Sequence, residues 1–113
     1  MAVDRYTSDT TCTKTDNAIR IVKGGTIGTT DKSSGTNWAT SDTDTYTSYG
    51  GSSDLWGTTW SVSDINASSF GVAISVGGGS EGACPLGDTV FVDHVRITVT
   101  YTPNTAPSIT AGP

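Results

Sequence analysis

Positive charge is scarce in this chain. Three Lys and three Arg stand against eleven Asp plus Glu over 113 residues, giving a net charge of −5 and a pI near 4.4. A nucleic-acid binder needs a basic stripe to displace phosphate counterions; six scattered cations make none, so nucleic acid is not expected as a partner. Long apolar runs are also missing. Nothing approaches the roughly 18 residues of a spanning helix, so no membrane insertion is expected, and the opening MAVDRYTSD has no signal-peptide h-region. There is one His, one Glu (Glu81) and no CxxC. That leaves no metal motif, no nucleophile–base constellation and no pair of glycosidase carboxylates, and the chain reads as non-enzymatic. His94 follows Asp93, but neighbours on a strand point to opposite faces and form no dyad.

What the chain has in quantity is hydroxyl: 21 Thr and 14 Ser, with 14 Gly. Thr is β-branched and polar, which suits the solvated face of a strand. This composition, poor in Lys and Glu, points to an extracellular, cell-surface or virion protein. The two cysteines, Cys12 and Cys84, lie in polar, loop-like surroundings (TTCTKTDN and EGACPLGD). An even count in such a setting favours one disulfide between them, with two free loop thiols as the alternative. No cofactor is expected and no metal site is assigned. Calcium has a weak case: Asp42-Thr43-Asp44 and Asp16-Asn17 offer hard oxygens, without EF-hand spacing.

Period-2 alternation dominates the pattern and defines an all-β fold. Val3–Thr7 is a short strand and Thr10–Asp16 a polar loop. Ala18–Lys23 alternates, with Ile19 and Ile21 on one face and Arg20 on the other. Gly24-Gly25 is a hairpin turn into Thr26–Thr30, because both central positions of such a turn need positive φ. Thr43–Tyr49 and Leu55–Trp60 read as strands. Ser61–Ser69 is the one helical stretch, with Ser61 and Asp64 spaced as a capping box. Phe70–Val76 and Thr89–Thr102 are the strongest strands, joined by a glycine-rich loop. Parity puts Phe70, Val72, Ile74 and Val76 on one core face, and Phe91, Val95, Ile97, Val99 and Tyr101 on another. Asp93 shares the second face, so it is expected to be a buried structural carboxylate holding loop amides or Arg. Residues 1–102 form the domain, and 103–113, with Pro at three positions, a linker or tail.

Four segments in order, AIRIVKGGTIGTTDKSSGTNW, YGGSSDLWGTTW, SDINASSFGVAISV and VDHVRITVTYT, resemble a β-sandwich domain repeated in phage tail and virion-associated proteins and in large bacterial surface proteins. The likeness covers about Val3 to Thr102. It implies a jelly-roll-like antiparallel sandwich serving as a structural or adhesive module. Members of that family carry further strands ahead of the position of Val3, so this chain is expected to lack N-terminal strands and to leave a sheet edge open. Another copy of the chain, a neighbouring domain or the tail could fill it, with Ser108, Ile109 and Thr110 as a donor strand. The alternatives are a piece of a longer chain, or a smaller variant that closes its own core.

Five aromatic residues lie between positions 38 and 60. Reuse of the YGG…DLWG…W pattern in the family implies that Trp56 and Trp60 are structural, plugging the core. Trp38 and Tyr49 are then the expected exposed pair. With Tyr46 they form a candidate platform for stacking on sugar rings, and a carbohydrate-binding module is the rival to the structural reading.

Overall fold

A computed structural model describes residues 1–8, 12–78 and 89–103. The chain is all-β, as the alternation implies. Among the described residues β1 (Ala2–Thr7), β4 (Tyr46–Ser48) and β6 (Val90–Arg96) form one antiparallel sheet in the order β4-β1-β6. The second sheet, in the order β3-β2-β5, consists of β2 (Lys14–Lys23), β3 (Thr26–Ile27) and β5 (Gly71–Gly78). Among the described residues only β2 and β3 are joined as a local hairpin. Its Gly24 and Gly25 have φ of +58° and +78°, a conformation in which a Cβ would be strained.

The two sheets face each other across a core of Val3, Ile19, Ile21, Tyr49 and Trp56, with Met1, Trp60, Phe70, Ile74 and Val95 packed around it. Ile19 stands opposite Ile74 and Ile21 opposite Val72, so the expected parity of β2 and β5 holds in this stretch. Val3 and Ile19 are fully buried; each contributes about 1.5–3 kcal/mol by leaving water.

Each sheet carries one β-bulge, and both change which way a carboxylate points. On β2, Asp16 pairs with Val76 but Ala18 pairs with Ser75, leaving Asn17 as the extra residue. The alternation therefore flips there, and Asp16 joins Ile19 and Ile21 on the inner face although its number has the other parity. On β6, Asp4 pairs with His94 but Arg5 with Val92, leaving Asp93 extra. Val95 keeps its place opposite buried Val3, whereas Phe91 turns out opposite Tyr6 and stacks on that ring at 4.5 Å.

Several expectations are corrected here. Phe91 is not on the core face with Val95, and Asp93 is exposed rather than buried. Strand β2 begins at Lys14, so Lys14–Asp16 belongs to the sheet and not to a loop. The last strand ends at Arg96, and Val99 and Tyr101 are exposed. Leu55–Trp60 is a turn, because Trp56 and Gly57 both take positive φ, +56° and +71°; a Cβ on Gly57 would collide with the Thr30 hydroxyl. That turn is tied down by Asp54, which accepts from the Trp56 amide at 2.8 Å and from Lys32 Nζ at 2.6 Å. The helical stretch condenses to α1 (Val62–Asn66), with the capping box between Ser61 and Asp64 formed in both directions.

On its outer side β2 is sealed by an irregular segment rather than a long strand. The Asp31 carboxylate accepts the Ile19 amide at 3.0 Å, the Lys32 amide donates to the Ile19 carbonyl, and the Trp38 amide donates to the Lys14 carbonyl. The same segment then crosses to the other sheet, where Ala39 bridges Tyr6.

Candidate functional site

The expected exposed pair, Trp38 and Tyr49, is buried: 3% and 4% of their surfaces reach solvent. Both are turned inward by Asp16. Its Oδ1 accepts the Trp38 indole N–H at 2.9 Å, and its Oδ2 accepts the Tyr49 hydroxyl at 2.7 Å and the Ser34 amide at 3.0 Å. Arg5 of the opposite sheet completes the group, with Nε 3.5 Å from Oδ1 and its guanidinium 4.9 Å from the centre of the Trp38 ring. A buried Trp or Tyr needs a partner for its polar tip, and a buried carboxylate needs donors; here one acid meets both needs. Burial, and then the hydrogen bond to Asp16, push the Tyr49 hydroxyl far above the ordinary tyrosine range. The cluster joins the two sheets and offers no open face to a sugar. Since Asp16 is saturated with protein donors, the Asp16-Asn17 pair is no ion site either.

Tyr46, the third member of the expected platform, is half-buried. One face of its ring is taken by the Arg96 guanidinium at 3.7 Å, and His94 meets the ring edge-on at 5.8 Å. Trp56 is buried in the core. Trp60 is half-buried, packed edge-to-face on Phe70 at 5.5 Å, with its indole N–H donating to the Leu55 carbonyl. Lys23 braces it from outside, donating to the Thr59 carbonyl at 2.6 Å and pairing with Asp64 at 3.7 Å.

Beside Trp56 and Trp60 the sandwich is open. A cleft of about 800 Å³ is lined by Ile21, Trp56, Trp60, Phe70 and residues 97–103, among others. Its rim carries apolar side chains in water: Leu55, Val62, Val99 and Tyr101, the last 75% exposed. Among the described residues neither β5 nor β6 has a strand on its second side. The cleft is lined by the residue before β5, Phe70, and by the residues after β6, 97–103. The shortness of β6 and the turn at Trp56 create that space, and neither was visible in the alternating pattern.

A second site was missed by sequence reasoning. Asp4, Asp44 and Asp93, remote in the chain, come together at the junction of β1, β6 and the loop entering β4, each with a carboxylate oxygen within 4.8 Å of the others'. Asp44 was among the hard-oxygen candidates, but its partners are not those its neighbours in sequence suggested. Cys12 is buried, and no free thiol stands among the described residues. Its expected partner Cys84 lies outside them, as do Ser108, Ile109 and Thr110. No helix among the described residues is long and apolar enough to cross a membrane. No known family model, curated protein or solved structure matches the chain.

Proposed function

We propose that this chain is a non-enzymatic structural or adhesive β-sandwich module of an extracellular or virion-surface assembly, and that its copies join by strand addition at the open end of the sandwich. One observation carries this reading: an apolar cleft lined by Phe70, just before β5, and by residues 97–103, just after β6, leaves Leu55, Val62, Val99 and Tyr101 in solvent, while β5 and β6 are the outer strands of their sheets among the described residues. An outer strand offers unpaired backbone donors and acceptors, and an apolar cleft at the strand ends takes side chains, which together favour a β-strand as the occupant. The occupant is the segment 104–113 of a second copy. It leaves the cleft rim at Pro103, and ten extended residues reach roughly 33–36 Å. Within it Ser108-Ile109-Thr110 is the β-prone stretch, between Pro107 and Gly112.

The composition supports the setting, and the resemblance to the repeated phage and bacterial surface domain supports the role. The carbohydrate-binding alternative loses the exposed Trp38/Tyr49 platform on which it rested. Sedimentation equilibrium at several concentrations, on the full chain and on a chain ending at Pro103, tests the proposal. Association that rises with concentration, and that disappears on truncation and in Val90→Lys at the β6 edge, is the expected result. A concentration-independent monomer in the full chain, or association that survives truncation, overturns it.

A further inference from the structure

Asp4 is an acid that folding hides without supplying a donor. The residue is 3% exposed, and no N–H or O–H group among the described residues donates to its carboxylate. Asp44 and Asp93 each bring a carboxylate oxygen within 4.8 Å of it. An ionised carboxylate with no partner in such a place is unfavourable, and like charges converging on it add to the strain.

The fold brings these groups together by construction. Asp4 sits in β1 opposite Tyr46 on one side and His94 on the other. Asp93 is the extra residue of the β6 bulge, turned toward Asp4 instead of the core. Asp44 enters two residues before β4, and its amide is held by the Asp42 carboxylate at 3.2 Å. We propose that Asp4, Asp44 and Asp93 form a calcium site that pins the loop entering β4 to the β1–β6 pair.

The chemistry favours a hard dication. Calcium binds carboxylate oxygens at about 2.3–2.6 Å, so two oxygens across the ion lie up to about 4.6–5.2 Å apart, and a spread of 4.8 Å fits inside that span. Magnesium, at about 2.0–2.1 Å in a rigid octahedron, would require the three to close to about 4.2 Å. Asp44 and Asp93 are exposed, which leaves room for the waters that complete six to eight ligands. Two positive charges offset most of three negative ones and give Asp4 the partner it lacks.

The test is thermal unfolding of the full chain after EGTA treatment, with calcium raised to about 10 mM, above the 10⁻⁴–10⁻³ M range of weak extracellular sites. Magnesium at the same concentration serves as a control, and titration calorimetry is run in parallel. The melting temperature is expected to climb with calcium and much less with magnesium, with saturable heat of binding near one ion per chain. At a calcium concentration of 100 Kd the folded-to-unfolded ratio rises about 100-fold. Asp44→Asn and Asp93→Asn, both exposed, lose the response, whereas Asp64→Asn keeps it. Asp4→Asn abolishes binding while raising the melting temperature in EGTA; if that buried variant does not fold, the two exposed ones carry the test. A melting temperature indifferent to calcium, or a rise that Asp93→Asn retains in full, overturns the proposal.

Discussion

Asp16 and Asp4 are both nearly buried aspartates, each on a strand beside a β-bulge, yet their surroundings are opposite. The bulge at Asn17 aims Asp16 between the sheets, where an indole N–H, a phenol, a backbone amide and a guanidinium meet its two oxygens. The bulge at Asp93 surrounds Asp4 with other acids and, among the described residues, brings no donor. A buried carboxylate stabilises a fold only as well as its partners do. The first site is thus an internal tie between the sheets, in which the chain itself supplies donors to both carboxylate oxygens. The second is incomplete, and its chemistry asks for something from solution.

Breaking the complete site should have the largest effect. Asp16→Asn keeps the shape but leaves Arg5 buried without its counter-charge, and should lower unfolding free energy by about 3–5 kcal/mol in denaturant titrations. A smaller cut sharpens the same contrast. Tyr49→Phe removes one donor to a charged acceptor and should cost about 1.5–3 kcal/mol, with the Trp38 indole still bonded. Fluorescence of the three tryptophans would then report a native-like core.

Smaller still are the aspartates held at the surface, which have donors but little burial. Ser61→Ala breaks the α1 capping box and should cost about 1 kcal/mol. Asp31, Asp54 and Asp64 are each held below the ordinary carboxylate range. The causes are the Ile19 amide for Asp31, the Lys32 ammonium for Asp54 and the Ser61 amide for Asp64. Their folded pKa values lie below the unfolded value of about 3.9, so their contribution is complete above that pH. It is lost as the pH falls from there through the folded values. Unfolding followed across about pH 5 to 2 should show that acid limb, and Lys32→Met should flatten it by releasing Asp54.

The sequence carried the parts of the fold that depend on neighbours. Gly24-Gly25 forms a turn because two adjacent positive φ angles have a compositional signature, and Ser61 with Asp64 caps a helix because three residues span that distance. Ile19, Ile21, Phe70 and Ile74 face the core as alternation requires. What alternation cannot carry is a bulge: one extra residue reverses every facing beyond it and leaves no mark in the hydrophobic pattern. That is why Phe91 and Asp93 were read on the wrong side, and why Asp16, in a stretch taken for a loop, was read only as a hard-oxygen candidate and not as a core carboxylate. Trp38 and Tyr49 sit among polar neighbours and so looked exposed. The signal that they were not lay in their polar tips, which a carboxylate elsewhere in the chain could satisfy. The Asp4 site joins residues 40 and 89 positions apart, and only the register of β1 with β4 and β6 reveals it.

The account rests most heavily on Asp16 and Arg5 acting as one unit across the two sheets. A double-mutant cycle tests that directly, measuring unfolding free energies for Arg5→Met, Asp16→Leu and the two together. Coupling predicts that the double variant loses less than the sum of the singles by about 1–3 kcal/mol, because each single change strands a charge that the second removes. Losses that add to within about 0.5 kcal/mol would mean that the two residues act independently and that the sheets are held together by apolar packing alone.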